Sequence, residues 1–547
     1  MPAEGYNVGC YLIDRLVEAG CGHLFGVPGD YNLRFLDDVM AAEDFQWVGC
    51  ANELNAAYSA DGYARIRRIG ALLTTYGVGE LSAVNGVAGA YAEMNPVIHI
   101  VGGPAQKDQN AHSMMHHTLG DGLFHHFGLM SEQISCSTAY LRELHYARDI
   151  DKVIQDVLFE KRPGYIVLPL DVATAPAEPP LAPLLRRPYE LSDVSCRQLA
   201  EAVDEKLRNA KRPAALVGYH CDRFLCQEGA QRLVDDAHIP FAHMLLGKGT
   251  LNEQSPNYIG CYYGATSPDN LRTTVEDADV CILVGVRFHD FGTGYFTQKL
   301  DQNRKIEIKP HSVTIGSKHY QQIPMAKALE IVREVALKYA DSWPTVHTKP
   351  ERIREPTSEK FSAYHFWREM QAGLQPNDIL VVDQGTSSSA TAGLVMPEHT
   401  NVIVQCLWGS IGYSIPAAFG AQMAAPDRRV ILVVGDGSAQ LTVQEWGTFL
   451  RHDLRSMIFL VNNDGYVIER VIHGWNAEYN DIAAWNWCPL IKALSTTVQP
   501  DTQIVNEPGV ALAALKKYSG HREKLSFNEV ILDRHELPVV NLSWKPN

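Results

Sequence analysis

An aspartate, an asparagine pair and several glycines are arranged in this sequence as a site for a divalent cation and a diphosphate. Gly435-Asp436-Gly437-Ser438 directly follows the apolar run Val430–Val434, and Asn462-Asn463 directly follows a second run, Met457–Val461. Asp436 and Asn463 stand 27 positions apart. That is enough chain for one helix and one return strand, so both residues can occupy the carboxyl edge of one sheet, where open α/β folds bind ligands. Mg2+ takes oxygen ligands in octahedral geometry, usually one or two protein carboxylates plus phosphate oxygens. Asp436 offers a carboxylate, Asn463 an amide oxygen, and Gly465 a backbone carbonyl that glycine leaves approachable. Gly435 and Gly437 let backbone N–H groups face a diphosphate. Ser438 is placed to cap the following helix, whose N-terminus favours anions.

A parallel sheet is needed to hold these residues together, and the chain alternates strand and helix patterns as such a sheet requires. Val8, Tyr11, Leu12 and Leu16 mark one helical face, and Gly20 stops that helix. The strand His23–Val27 runs into Pro28-Gly29-Asp30, and Phe45–Gly49, Ala71–Thr75 and Pro96–Val101 follow as strands. The Pro-rich stretch Ala175–Pro188 reads as a linker. Ala214–Val217 and Val280–Val284 are strands of a second region, and Trp343–Lys360 is a second linker. Ile379–Val382, Val402–Gln405, Val430–Val434 and Met457–Val461 belong to a third. The expected fold is α/β with three domains, residues 1–175, 189–342 and 361–547, each a mainly parallel sheet flanked by helices.

Composition narrows the partners. The 547 residues suit about three domains, and 46% hydrophobic with 20% charged residues is ordinary for a globular protein. A net charge of -15 argues against a nucleic-acid or anionic-membrane partner, since phosphate binding needs a basic face. The 11 cysteines include no CxxC pair and read as reduced thiols of a cytoplasmic protein. Asp14, Arg15 and Glu18 interrupt the first apolar stretch, which is therefore not read as a signal peptide. No apolar run approaches the ~20 residues of a membrane span.

Gly435–Ser438 through Asn462-Asn463 resembles the thiamine-diphosphate motif of the thiamine-dependent decarboxylase superfamily. That family has pyrimidine-binding, central and diphosphate-binding α/β domains, and the three regions above match them along nearly the whole chain. The resemblance implies thiamine diphosphate and Mg2+ as cofactors. It also implies a carboxyl group that protonates the aminopyrimidine, and Glu53 in Cys50-Ala51-Asn52-Glu53-Leu54-Asn55 matches it. His116-His117, in MMHHTLGDG, is similar to the paired histidines of the pyruvate and indolepyruvate decarboxylase branch. Asp30 in GVPGDYN matches that branch's acidic residue, and Glu469 its second glutamate. Histidine titrates near neutrality and can shuttle the proton that replaces CO2. Gly409-Ser410-Ile411-Gly412 resembles the loop that props thiamine into its bent form, with Ile411 as the prop and the Gly409 carbonyl receiving the pyrimidine amino group. Thr75 matches a threonine near the reacting centre.

The implied reaction is non-oxidative decarboxylation of a 2-oxo acid to an aldehyde and CO2 through a thiamine-bound enamine. Asp30 and His117 help protonate the enamine, and Glu469 assists loss of CO2. By family position the pocket holds Phe291, Gln384, Ser388, Ser389 and Ile468. Ser388 and Ser389 stand where pyruvate-specific relatives carry bulky aromatics, which favours indolepyruvate or phenylpyruvate with broad tolerance. Ile468 resembles the pyruvate enzymes and keeps pyruvate or a branched-chain 2-oxo acid as the alternative. An acetolactate synthase type of carboligase fits less well, because it would lack the paired histidines. The family further implies a homodimer or homotetramer with active sites at the subunit interface. The C-terminal HELPVVNLSWKPN departs from the family, its long closing helix being shortened. Cys221 falls where some yeast pyruvate decarboxylases have a regulatory cysteine, but its neighbours match poorly and it reads as a buried core residue.

Overall fold

A computed structural model describes residues 5–345, 348–520 and 523–540. Three sheets organise it. The first contains β1 (His23–Gly26), β2 (Gln46–Gly49), β3 (Gly70–Thr75), β4 (Val97–Gly103), β5 (Ser137–Tyr140) and β6 (Gly164–Pro169), in the order β2-β1-β3-β4-β6-β5. Every pairing in it is parallel. Strands β3, β4 and β6 are buried along their whole length, because helices cover both faces. This is why they read as apolar runs without alternation.

The central sheet contains β7 (Pro213–Val217), β8 (Phe241–Met244), β9 (Tyr258–Tyr262), β10 (Val280–Val284), β11 (Lys305–Ile308), β12 (Ser312–Ile315) and β13 (Lys318–Gln321). Its order is β13-β12-β11-β10-β7-β8-β9, with an antiparallel edge at β11-β12-β13 on an otherwise parallel sheet. The third sheet contains β14 (Ile379–Val382), β15 (Asn401–Ile403), β16 (Val430–Gly435), β17 (Met457–Asn462), β18 (Asp501–Val505) and β19 (Ser526–Ile531). Its order is β15-β14-β16-β17-β19-β18, parallel throughout. The fold is α/β with three mainly parallel sheets, as expected. Among the described residues no helix is long and apolar enough to cross a membrane.

The first and third sheets share one hydrophobic core, while the central sheet has its own. The shared core forms where the helix Glu53–Arg67 crosses the helix Ser414–Ala424 at backbone distance. A Cβ on Gly62 would lie 2.1 Å from the Ala417 carbonyl oxygen, and one on Gly420 1.9 Å from that of Ser59. Buried charges tie the sheets together. Arg65 bridges Asp61 at 2.8 Å and Glu93 at 2.7 Å and donates to the Val404 carbonyl. In the central region Glu253 pairs with Lys248 at 2.7 Å and accepts the Met396 N–H at 2.8 Å, joining that sheet to the third.

Within Ala175–Pro188 the only regular pairing among the described residues is a bridge between Asn7 and Pro176. The described residues of Trp343–Lys360 hold no helix or strand. Residues 532–540 also hold neither. There Glu536 accepts the Ala363 N–H at 2.7 Å, and Val539 packs on the third core. The remainder of the unusual C-terminus, residues 541–547, lies outside the described residues.

Candidate active site

Strands β16 and β17 are parallel neighbours with Gly435 opposite Val461, so Asp436 and Asn463 leave the sheet side by side at its carboxyl edge. Asp436 accepts the N–H of Gly437 at 2.8 Å on one carboxylate oxygen and that of Gly465 at 3.1 Å on the other. Gly465 has φ +120, and a Cβ there would lie 2.2 Å from the Asn480 carbonyl oxygen. Only glycine fits that turn. Its own carbonyl accepts the Val467 N–H at 3.1 Å. Around Gly435 the space is open, whereas Gly437 lies against the Tyr466 ring. Ser438 does not cap the helix. The helix Asp436–Thr442 starts two residues earlier with Gly435 at its cap, so Ser438 sits inside the first turn, close to buried Asp383.

Burial pushes the Asp436 carboxyl up to about 6 against the pull of the backbone N–H groups. A buried carboxylate with no cationic partner is short of positive charge, and a hard divalent cation supplies it and reverses the local pKa logic. The donor set therefore fits Mg2+. Two further residues shape this edge. Buried Asp383 accepts from the Ser414 hydroxyl at 2.5 Å and from the Gly412 N–H at 3.4 Å. Buried Arg470 donates to the carbonyls of Asp464 at 2.5 Å and Asn463 at 3.4 Å and pairs with Asp481 at 2.8 Å, which fixes the 463–481 segment.

Glu53 opens the helix Glu53–Arg67, and Asn52 caps it by accepting the Asn55 N–H at 2.8 Å. From the third sheet's side, Glu445 accepts the Ala51 N–H at 3.2 Å and the Asn55 side-chain amide at 2.9 Å, so both flanks of Glu53 are pinned. Its carboxylate lies by Gly79, where a Cβ would be 3.2 Å from Oε1 and 3.1 Å from the Thr75 methyl. On its other side Thr75 touches Gly29, where a Cβ would be 2.5 Å away, and Asp30 follows. Asp30 and His116 Nε2 are 2.7 Å apart, and His116 Nδ1 is 3.2 Å from the Tyr31 hydroxyl. His117 adopts φ +62, with its carbonyl against Gly77. The Gly77 turn is held by Glu80, which accepts the Gly77 N–H and the Tyr165 hydroxyl. Glu53, Thr75, Asp30, His116 and His117 thus form one cluster at the carboxyl edge of the first sheet.

The remaining residues lie along the third sheet, apart from Phe291 in the central region. Gly409, at φ +68, has open space around it. Ser410 beside it bonds the Tyr58 hydroxyl at 2.6 Å, and Ile411 is half-buried. Ser388 and Ser389 are buried and donate to the Gly385 carbonyl at 2.9 and 3.2 Å, Ser388 also reaching Gln384 at 3.3 Å. Ser388 lies beside the Cys406 thiol, and Cys406 shares an apolar cluster with Phe291 onto which Val540 packs. Ile468 is 4.0 Å from the Cβ position of Gly385. Glu469 is exposed, within electrostatic reach of Tyr295. Among the described residues no hydrogen bond or ion pair joins Asp30, Glu53, His116 or His117 to Asp436, Asn463 or Glu469. Cys221 is buried, and burial pushes its thiol well up, as for an inert core cysteine.

Comparison with known proteins matches three segments of the chain. Residues 6–124 match the N-terminal TPP-binding domain of thiamine pyrophosphate enzymes, residues 200–335 their central domain, and residues 383–494 their C-terminal TPP-binding domain. The chain is 42% identical over 547 residues to an alpha-keto-acid decarboxylase of Mycolicibacterium paratuberculosis, covering 97% of this chain and 95% of that one. It is 42% identical over 536 residues to the protein of that name from Mycobacterium tuberculosis, with 97% and 95% covered. With that of Mycobacterium leprae it shares 41% over 542 residues, with 97% and 94% covered.

Proposed function

The chain belongs to the thiamine-diphosphate-dependent 2-oxo acid decarboxylases, and from that premise we propose that it prefers an aromatic or long-chain 2-oxo acid such as indolepyruvate or phenylpyruvate. Bound thiamine diphosphate supplies the electron sink that lets a 2-oxo acid lose CO2. In this reading Asp436, Asn463 and the Gly465 carbonyl hold Mg2+, and the open backbone at Gly435, with Gly437 and Ser438, receives the diphosphate. Glu53 protonates the pyrimidine nitrogen, Gly409 accepts from the pyrimidine amino group, and Ile411 and Thr75 set the posture of the ring. Asp30, His116 and His117 move the proton that replaces CO2, and Glu469 assists its departure.

The substrate preference rests on Ser388 and Ser389, two small buried side chains beside the cluster of Phe291 and Cys406. Replacing them by Trp and Phe fills the volume that an aromatic substrate needs. Overpacking costs about 1–3 kcal/mol or more, while the methyl group of pyruvate escapes it. The double variant Ser388→Trp/Ser389→Phe is expected to lose kcat/KM for indolepyruvate by about ten-fold or more and to keep most of that for pyruvate. An unchanged ratio in a folded, cofactor-loaded variant would remove both serines from the pocket. Ile468, close to Gly385, favours the second reading, a pyruvate or branched-chain preference. A panel of 2-oxo acids assayed for CO2 and aldehyde decides between them.

We further infer a homodimer or a dimer of dimers in which each active site joins the Glu53 half of one subunit to the Asp436 half of the other. Support comes from apolar side chains left exposed near the Glu53 half, Met114 at 75%, Leu119 at 61%, Val78 at 55% and Met130 at 54%. Apolar surface of this kind marks an interaction site. The free cysteines are consistent with a reducing, cytoplasmic setting.

A further inference from the structure

Two imidazoles and one carboxylate with open positions beside them are the donor set of mononuclear zinc and iron centres. Asp30, His116 and His117 present that set, each offering one ligand atom, all within 4.8 Å of one another. Mg2+ takes oxygen ligands and keeps its waters, so nitrogen donors discriminate against the ion assigned to Asp436. We propose that Asp30, His116 and His117 form a second metal site, selective for a borderline divalent ion of the Zn2+ class, and that its occupancy arrests decarboxylation. The second half of that statement rests on the proton-transfer roles given to these residues above; the first half does not.

The cluster is built in advance of any ion. The two histidine rings stand 4.5 Å apart at 72°, and Tyr31 stacks on His116 at 4.8 Å. The Tyr31 hydroxyl reaches His116 Nδ1 at 3.2 Å and the His116 carbonyl at 3.3 Å. When Nδ1–H donates to that hydroxyl, the lone pair of Nε2 points toward Asp30. Metal-bound histidines are fixed by just such a bond at the other ring nitrogen. His117 is set by its left-handed backbone, φ +62, and by the contact of its carbonyl with Gly77. Its Nδ1 is buried without a hydrogen-bond partner, and an unmet buried polar atom of this kind is what a bound ion or water satisfies.

The movement required is small. Bonds of about 2.0–2.1 Å at tetrahedral angles place ligand atoms about 3.4 Å apart. Asp30 and His116 Nε2, now 2.7 Å apart, would open slightly, and both side chains are half exposed and free to do so. The ion replaces one hydrogen bond by two coordinate bonds and takes a third from His117, with water in the fourth position. With those lone pairs occupied, the ligating nitrogens and the ligating carboxylate oxygen cannot take up a proton.

Full-length protein loaded with thiamine diphosphate and Mg2+ tests this by equilibrium dialysis against Co2+ and against Zn2+, with bound metal counted by elemental analysis. The expected result is one Co2+ per chain, with a four- or five-coordinate visible spectrum and no thiolate charge-transfer band, which sets the site apart from the cysteines. His116→Ala and His117→Ala should each abolish that spectrum, and Tyr31→Phe, which keeps all three ligands, should weaken binding by about 10–100-fold. If an alanine variant fails to fold, Asp30→Asn at its exposed position carries the same expectation. Retention of the metal and its spectrum in both histidine variants, or no Co2+ retained by the unaltered protein, overturns the site. Full turnover at full Zn2+ occupancy overturns the arrest, and the proton-transfer roles with it, while leaving the site standing.

Discussion

Glu53 and Glu80 show how differently two neighbouring carboxyl groups are used. Glu53 is clamped through Ala51 and Asn55 by Glu445, with its carboxylate against Gly79, and in the proposed function it has no part in holding the diphosphate. Glu53→Gln should therefore lower kcat by about 100-fold or more, near 3 kcal/mol of barrier, while thiamine diphosphate still binds by fluorescence titration. A variant retaining a tenth of normal turnover would show that Glu53 is not the activating acid. Glu80 is buried, and burial pushes its carboxyl up to about 7 from an ordinary 4.5. The folded state holds that proton more tightly than the unfolded chain. Its contribution to stability is complete below about pH 4.5 and is lost as pH rises through about 7. A shift of that size corresponds to about 3 kcal/mol. Glu80→Gln still accepts from Gly77, can donate to the Tyr165 hydroxyl, and has no proton to lose. Its Tm relative to the parent protein should climb between about pH 5 and pH 8, and parallel Tm curves would refute this. Asp436 and Asn463 are legible in the sequence because each directly follows an apolar strand. Asp383, Glu445 and Arg470 are not, since their partners lie elsewhere in the chain and leave no local spacing.

At the scale of elements, the crossing of helices Glu53–Arg67 and Ser414–Ala424 holds the pyrimidine and diphosphate regions in register. Alanine at a helical glycine ordinarily adds about 0.5–1 kcal/mol of stability. At Gly62 the new Cβ would meet the Ala417 backbone at 2.1 Å, where no flexible side chain can give way. Gly62→Ala should therefore lose about 2 kcal/mol or more. Gly229→Ala, whose Cβ meets only Leu329 at 3.5 Å, should be neutral or stabilising. Equal effects of the two substitutions on thermal unfolding would mean that the crossing relaxes freely. Sequence patterns find several of the buried interior strands, such as β10 and β14, at their observed bounds, but miss β6, β8 and β19, which are interior and buried too. They pass over β5, Ser137–Tyr140, and β13, Lys318–Gln321, which lie at sheet edges and carry polar side chains. The antiparallel connections β11-β12 and β12-β13 also lack an intervening helix. The helix crossing has no sequence signature either, since glycines at Gly62 and Gly420 acquire meaning only when the two helices meet.

For the whole molecule, the shared core fixes the first and third regions of one chain against each other, and in the proposed dimer Glu53 and Asp436 of one chain belong to separate half-sites. A second subunit completes both if its Glu53 half faces this chain's Asp436 half, and the symmetry of a dimer then makes two equal sites. This arrangement has a consequence that no intrachain site shares. Glu53→Gln and Asp436→Ala proteins are each inactive alone. In a mixed dimer one site receives both substitutions and the other receives neither. Random reassortment makes about half of the dimers mixed, so about a quarter of the normal number of sites is restored. If instead each site were formed within one chain, every site in the mixture would carry one substitution, and activity would stay at the level of the separate variants. Subunit exchange must be verified by mass-tagged chains, because dimers that never dissociate would mimic the intrachain result. With exchange verified, recovery near one quarter establishes sites shared between subunits, and no recovery places Glu53 and Asp436 of the same chain in one site.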